Sequence, residues 1–143
     1  MNLLTYFIVK DMAASVAFYQ SFFEQEPGGG QPERFAIFNV GNTGLALYDP
    51  SYDDDLIKSE ADLGKHFNSA YLKNKETSIT YGNNTVLNLT VPDLATEYER
   101  VKRLNIGKVS ELMYVNIAIP YWFFWLTDPD GNCLEITGEY NPQ

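Results

Sequence analysis

Residues 121–138 read YWFFWLTDPDGNCLEITG, and this stretch predicts a β-hairpin. The run Tyr121–Thr127 is aromatic and favours a strand, Asp128–Asn132 is typical of a turn, and Cys133–Thr137 alternates as a second strand. Strand alternation places Glu135 on one face and its leucine and isoleucine neighbours on the other. Because a buried carboxylate needs a cation or a hydrogen-bond donor, Glu135 either belongs to a ligand site or reaches solvent at a strand edge.

The order strand, helix, strands occurs twice along the chain. Residues 3–9 form a strand pattern, Asp11 is a candidate helix N-cap, and apolar residues at helical spacing follow until Pro27. Residues 86–91 repeat the strand pattern, and a second helical stripe follows Asp93. An internal duplication explains this repetition. The glycines at 28–30 follow the first helix, and they predict a flexible connection rather than a phosphate-binding loop.

A polar stretch separates the two halves. We therefore predict one domain, 1–143, made of module one (1–49), a connecting excursion (50–83) and module two (84–143). Within the excursion, residues 53–55 are three consecutive aspartates that predict a solvated loop, which would also suit a cationic ligand as an acidic rim. His66 is interpreted as a surface residue, with a catalytic base or metal ligand supplied by a lid as the alternative.

Composition limits the classes of partner. The chain has 143 residues, enough to bury one core, and 19 acidic against 10 basic side chains give a net charge of −9. This charge argues against nucleic acid and anionic membranes and would favour a cationic small ligand, although an ordinary acidic cytoplasmic protein carries similar charge. Cys133 alone cannot form an internal disulfide, and no signal sequence is evident, so a cytoplasmic location is expected.

Two segments at opposite ends of the chain carry a family resemblance. Residues 8–19, IVKDMAASVAFY, and residues 128–136, DPDGNCLEI, resemble the opening strand and helix and the closing hairpin of the vicinal oxygen chelate superfamily. That superfamily includes glyoxalases, extradiol dioxygenases and bleomycin resistance proteins. The resemblance implies an α+β fold of two tandem βαβββ modules whose curled mixed sheets enclose a cavity.

The resemblance also bears on metal binding. Enzymes of the superfamily place metal ligands on the first and last strands of each module, and these positions fall on Leu4, Ala46, Val86 and Glu135 here. Only Glu135 has a side chain that binds divalent ions, which need several converging donors. We therefore expect no bound metal and no cofactor, as in the metal-free members that resemble bleomycin resistance proteins.

The candidate ligand-binding residues are those that strand parity places on the face of Glu135. They are Tyr6, Tyr48, Asn88, Thr90, Phe123, Trp125 and Glu135. An apolar and aromatic lining with a few polar groups is usual for small-molecule sites. The alternative is that these side chains only fill the interior of the sheets.

Two functions from different classes follow. The first is a metal-independent protein that binds a small molecule and sequesters an aromatic or cationic compound. The alternative is a metal-dependent lyase or dioxygenase of the same superfamily, with an atypical ligand set that includes Glu135, so the question of enzymatic activity stays open. A structural or regulatory partner with a filled cavity is a third interpretation. Proteins of this fold commonly pair, and a homodimer is expected.

Overall fold

The computed structural model describes residues 3–59, 61–75, 78–82, 85–116 and 118–142. Contacts divide the chain into two compact units, which are Met1–Ala13 with Pro27–Thr80, and Ala14–Glu26 with Tyr81–Gln143. Most of the first helix of the chain therefore belongs to the second unit. The predicted sequence modules 1–49 and 84–143, with the excursion 50–83, stay a prediction.

The secondary structure alternates strands and helices as the repeated pattern indicates. Among the described residues the elements follow the chain as β1 (Thr5–Ile8), α1 (Met12–Phe23), β2 (Gly28–Gln31), β3 (Phe35–Val40), β4 (Thr43–Tyr48), α2 (Pro50–Ser59), a 3-10 turn (Leu63–Lys65), α3 (Ser69–Asn74), β5 (Val86–Asp93), α4 (Leu94–Leu104), β6 (Met113–Asn116), β7 (Pro120–Thr127) and β8 (Cys133–Glu139). None of the helices found there is long and apolar enough to cross a membrane.

Each half contributes one mixed four-stranded sheet. The strand orders are β1-β4-β3-β2 and β5-β8-β7-β6, so corresponding strands occupy corresponding places. In each sheet the first strand of the half runs parallel to the last, and the remaining pairs are antiparallel. The predicted α+β fold of two βαβββ modules is thereby confirmed.

The glycines at 28–30 do not form the predicted flexible connection. They belong to β2, an edge strand that pairs with β3 through Gly28 and Ile37. Gly29 has a φ of 123°, and a Cβ there would lie 2.6 Å from the carbonyl oxygen of Phe35. Glycine is therefore required because the irregular edge strand approaches its neighbour closely, in a conformation that other residues avoid.

One face of the second sheet packs into the core of the second unit. Phe124, Leu126, Leu134 and Ile136 are fully buried on one face. Helix α4 packs against β5, β7 and β8 and buries Val101 in the same unit. Because side chains alternate along a strand, the residues between these positions, Glu135 among them, face the opposite side of the sheet.

The closing hairpin is confirmed, and its turn is a structural element. The Asp128 carboxylate accepts hydrogen bonds from the backbone N–H groups of Asp130 and Asn132, at 2.9 and 2.8 Å. Two side chains of helix α1 donate hydrogen bonds to this turn. The Tyr19 hydroxyl donates to Asp128 at 2.8 Å, and the Ser15 hydroxyl donates to Asp130 at 3.4 Å. Burial and the neighbouring carboxylate of Asp128 raise the pKa of Tyr19, which keeps this donor protonated.

Candidate functional site

Glu135 lies in the middle of β8, between two side chains that donate hydrogen bonds to it. The strand register sets it opposite Asn88 on β5 and opposite Trp125 on β7. The amide nitrogen of Asn88 donates to Oε1 at 2.8 Å, and the indole nitrogen of Trp125 donates to Oε2 at 3.0 Å. Three of the candidate residues therefore form one hydrogen-bonded row across the sheet.

The charge of Glu135 has no ionic partner among the residues that the structure describes. Both donors are neutral, and no Lys, Arg or His side chain in those ranges forms an ion pair with Glu135. An ionised carboxylate has about four lone-pair directions, so both oxygens can accept a further hydrogen bond. This row therefore offers a fixed negative charge to a ligand.

Cys133 lies on the same face as Glu135, two residues away. Burial raises the pKa of the Cys133 thiol, and the negative charge of Glu135 raises it further. A thiol that stays protonated is a poor nucleophile and a poor metal ligand. Its position therefore fits a packing residue better than a reactive one.

Thr90 and Phe123 occupy the next row of the same face. Thr90 is opposite Thr137, with the two hydroxyl oxygens 3.2 Å apart, and Thr137 is opposite Phe123 on β7. The Phe123 ring lies 5.9 Å from the Trp125 ring. Phe123 is only 6% exposed whereas Trp125 is 43% exposed, so of these two rings Trp125 presents the surface to a ligand.

Tyr6 and Tyr48 lie together in the first unit, where their ring centroids are 6.4 Å apart in an edge-to-face arrangement. Phe35 extends this aromatic row at 5.6 Å from Tyr6. Tyr6 is exposed, but the Tyr48 hydroxyl is engaged with Asp53 at 2.8 Å. That these two tyrosines share one ligand with the Glu135 row stays a prediction.

Asp53 is not the solvated loop residue that the run of aspartates predicts. It lies in α2 and is 1% exposed. Arg34 donates to both of its oxygens, at 2.7 and 3.0 Å, and the hydroxyls of Tyr71 and Tyr48 donate to it at 2.5 and 2.8 Å. Burial alone would raise the pKa of Asp53, but these hydrogen bonds and the charge of Arg34 lower it to about 2.

The Asp53 cluster changes the role of the acidic run. Asp54 also has a cation, because Lys75 lies 2.5 Å from its carboxylate. Asp55 faces solvent and lies 3.9 Å from Lys58. The three aspartates therefore do not act as a free acidic rim for a cationic ligand.

His66 follows the 3-10 turn and is exposed, with its ring 6.1 Å from that of Phe67. It belongs to a shallow cleft of about 460 Å³ lined by residues 64–68, Arg34 and Tyr71. A surface position is the one the sequence favours for this histidine. Its role as a lid-borne base stays untested.

The cavities do not coincide with the Glu135 row. A groove of about 790 Å³ at one end of the second sheet is lined by Thr90, Val91, Pro92, Pro120, Tyr121, Trp122, Gly138, Glu139, Tyr140 and Asn141. It shares Thr90 with the candidate residues but excludes Asn88, Trp125 and Glu135. The chemistry of the uncompensated carboxylate, rather than the size of the groove, therefore selects the Glu135 row as the candidate site.

The residues around Glu135 do not fit a divalent metal ion. Asn88 and Trp125 direct N–H groups, which cannot bind a cation, towards the carboxylate, and Val86 on the neighbouring strand carries no side-chain donor atom. Within the described ranges, no three His, Cys, Asp or Glu side chains are grouped so that they could hold a metal. Divalent ions need several such donors around one point.

The sheet orders, the paired βαβββ modules and the closing hairpin define the glyoxalase/bleomycin resistance/dioxygenase fold. Solved structures across that superfamily share it, so the resemblance seen in the sequence is confirmed at the level of the fold. By sequence, no family model and no curated protein matches the chain.

Individual structures show how far the likeness extends. A lactoylglutathione lyase from Agrobacterium tumefaciens has a TM-score of 0.64 at 20% identity, covering 96% of this chain and 92% of that one. A glyoxalase/bleomycin resistance protein/dioxygenase from Nocardioides gives 0.64 at 16%, covering 100% and 87%. A bleomycin-binding protein complexed with bleomycin gives 0.59 at 14%, covering 98% and 99%.

Proposed function

We propose that this protein binds a small aromatic compound that carries positive charge, without a metal ion, at the Glu135 row. One observation carries the proposal: Glu135 is an ionisable carboxylate with two neutral donors and an exposed indole beside it. Such a group attracts a cation, and the Trp125 ring supplies contact area for an aromatic body. Asn88 and Trp125 fix the carboxylate, so a ligand need not order it on binding.

The expected contributions are sufficient for selective binding. A cation over an aromatic face gains roughly 0.5–2 kcal/mol, and a hydrogen bond to a charged group contributes roughly 1.5–3 kcal/mol. Their sum of roughly 2–5 kcal/mol corresponds to about 30- to 5,000-fold preference for a cation over a neutral molecule of the same shape. The apolar face of Trp125 would accept the remainder of the ligand.

The structural neighbours support binding as the type of function. One of them is a bleomycin-binding protein in complex with bleomycin. Its low identity to this chain means that the ligand does not transfer, and the ligand chemistry here is argued from Glu135. We infer that the chain sequesters its ligand rather than transforming it, because the raised pKa of Cys133 disfavours the nucleophilic thiolate and neither side chain that donates to Glu135 is an acid or a base.

Nuclear magnetic resonance of the two indole N–H groups tests where the ligand binds. N-methylquinolinium is an aromatic cation of suitable size, and we expect it to shift the Trp125 indole signal in a saturable manner. Trp122 lies on the opposite face of β7 and serves as the internal control. Saturable shifts confined to the Trp122 indole would contradict the proposed site.

Elemental analysis tests the metal-free part of the proposal. The purified protein is expected to contain no stoichiometric zinc, iron, nickel or manganese. One equivalent of any of these, lost in Glu135→Ala, would overturn the proposal and favour the metal-dependent lyase or dioxygenase.

We also propose that the protein acts as a homodimer in the cytoplasm. The first unit exposes Leu3 and Leu4, and the second exposes Tyr114 and Ile119, which is apolar surface that pairing would cover. The single cysteine accords with a reducing compartment. Sedimentation at micromolar concentration is expected to give twice the chain mass, and a value near 16.2 kDa would contradict pairing.

A further inference from the structure

The first unit contains a pocket of about 620 Å³ that does not involve Glu135. It is lined by Ile8, Tyr48, Pro50, Asp54, Tyr71, Lys75, Ser78, Ile79 and Thr80. This volume lies within the range of roughly 300–1,000 Å³ that small-molecule sites occupy. Ile8, Pro50 and Ile79 give the pocket apolar walls that an aromatic molecule would contact.

The charged groups at this pocket are paired with one another. Lys75 binds Asp54 at 2.5 Å and also donates to the carbonyl oxygen of Pro50 at 3.2 Å. Behind the tyrosines, Asp53 is paired with Arg34 through two hydrogen bonds. The pocket therefore offers no uncompensated charge, in contrast with the Glu135 row, and an ion entering it would lose hydration without gaining a counter-ion.

Two tyrosine hydroxyls give the pocket its polar character. Tyr48 and Tyr71 both donate to the same oxygen of Asp53, at 2.8 and 2.5 Å, and their own oxygens are 3.1 Å apart. Whether a hydroxyl donates to the carboxylate or to the other hydroxyl, both protons stay within the cluster, so the hydroxyls offer only lone pairs to another molecule. Burial and these hydrogen bonds raise the pKa of Tyr48, so the arrangement persists at neutral pH.

We propose that this pocket is a second ligand site, specific for an uncharged aromatic molecule that carries a hydrogen-bond donor, such as a phenol. The apolar walls take the ring, and the tyrosine oxygens accept its hydrogen bond. The charge balance selects against ions. The site is independent of the Glu135 row, so one of the two can fail while the other holds.

Two probes that differ in one donor test the specificity. Isothermal titration at pH 7 with 2-naphthol, and with 2-methoxynaphthalene as the matched compound without a donor, is expected to show 2-naphthol binding roughly two- to tenfold more tightly, the range of one hydrogen bond. Equal affinity for the two, or tighter binding of the methyl ether, would overturn the assigned donor selectivity.

Two variants locate the site. Tyr71→Phe removes one acceptor and is expected to reduce the preference for 2-naphthol, whereas the matched control Tyr98→Phe, whose hydroxyl donates to Ser110 in the second unit, leaves it unchanged. Ile79→Ala shortens a side chain of the pocket wall that is 38% exposed, and it is expected to weaken the binding of both probes at least threefold. Unchanged affinity in Ile79→Ala, or an equal effect of Tyr98→Phe and Tyr71→Phe, would contradict the site.

N-methylquinolinium distinguishes this site from the Glu135 row. We expect 2-naphthol to bind with unchanged affinity when the Trp125 signal is saturated with N-methylquinolinium. Competition between the two compounds would overturn the second site, because both would then occupy one place.

Discussion

Replacing Asp53 with asparagine removes a buried negative charge from the hydrogen-bonded cluster of the first unit. In the wild-type protein this carboxylate accepts four hydrogen bonds, two from Arg34 and one each from Tyr48 and Tyr71. Asparagine keeps the shape and one acceptor oxygen, but its amide nitrogen cannot accept from the guanidinium. Asp53→Asn therefore leaves Arg34 beside a donor and without its counter-ion.

The expected loss of stability is about 3 kcal/mol. Breaking a buried ion pair costs roughly 3–5 kcal/mol, because an uncompensated charge remains. We expect a cost at the lower end of this energy range, because the Arg34 side chain is 36% exposed and water can hydrate it. The lowered pKa of Asp53 has the same cause, because the hydrogen bonds and the charge of Arg34 stabilise the ionised carboxylate in the folded protein.

Urea unfolding and hydrogen exchange provide the assay. We expect Asp53→Asn to lower the free energy of unfolding by about 3 kcal/mol and to speed exchange in α2 and β4. Asp54→Asn is the matched control with a half-exposed ion pair, for which about 0.2–1 kcal/mol is expected. Asp55→Asn, at a carboxylate 81% exposed, should cause no measurable change.

The pH dependence gives a second readout with a definite sign. The folded protein holds the Asp53 pKa below its ordinary value, so the stabilisation is complete above about pH 4 and is lost as the pH falls towards 2. Asp53→Asn should lack this part of the acid loss. A destabilisation below 0.5 kcal/mol, or an unchanged acid profile in the variant, would refute the importance of the cluster.

Two further predictions concern the second unit, and both are measured as the free energy of unfolding in urea. Gly138→Ala places a Cβ 2.5 Å from the carbonyl oxygen of Val91, so we expect the free energy of unfolding to fall by about 1–3 kcal/mol. Gly30→Ala is the control and should change it little, because nothing lies within 4 Å of a Cβ there. Equal effects of the two substitutions would contradict the steric reason. Tyr19→Phe removes a buried donor to Asp128 and should cost about 1–3 kcal/mol, and a neutral result would show that helix α1 does not depend on this hydrogen bond.

The fold was predictable because its signals are local and periodic. Alternation along residues 121–137 fixes which face carries Glu135, and the parallel pairing of β5 with β8 then brings Asn88 opposite it. These features depend on neighbouring residues, so a single sequence contains them.

The Asp53 cluster was not predictable in the same way. Arg34 directly precedes β3, Asp53 lies in α2 and Tyr71 lies in α3. No spacing in the sequence links these three residues, although they are hydrogen-bonded in the structure. Three aspartates in a row look uniform, whereas the helix buries only the first. The placement of α1 in the second unit likewise depends on the contacts of Ser15 and Tyr19 with a turn more than 100 residues away.

Part of the geometry of the Glu135 row could also not be predicted from the sequence. Parity predicts that Asn88, Trp125 and Glu135 share a face, but it does not show that the indole and the amide both donate to the carboxylate. Nor does it distinguish the buried Phe123 from the exposed Trp125, since both rings have the same parity. Side-chain rotamers and packing decide these points, and they arise only when the strands are assembled.

The central claim, that Glu135 supplies the fixed charge of a ligand site, is tested most directly by comparing N-methylquinolinium with its neutral isostere 4-methylquinoline. We predict that the wild-type protein binds the cation at least tenfold more tightly at pH 7.5, and that Glu135→Gln abolishes this preference while still binding the neutral compound. Equal affinity of the wild-type protein for both compounds, or an undiminished preference in Glu135→Gln, would contradict the claim.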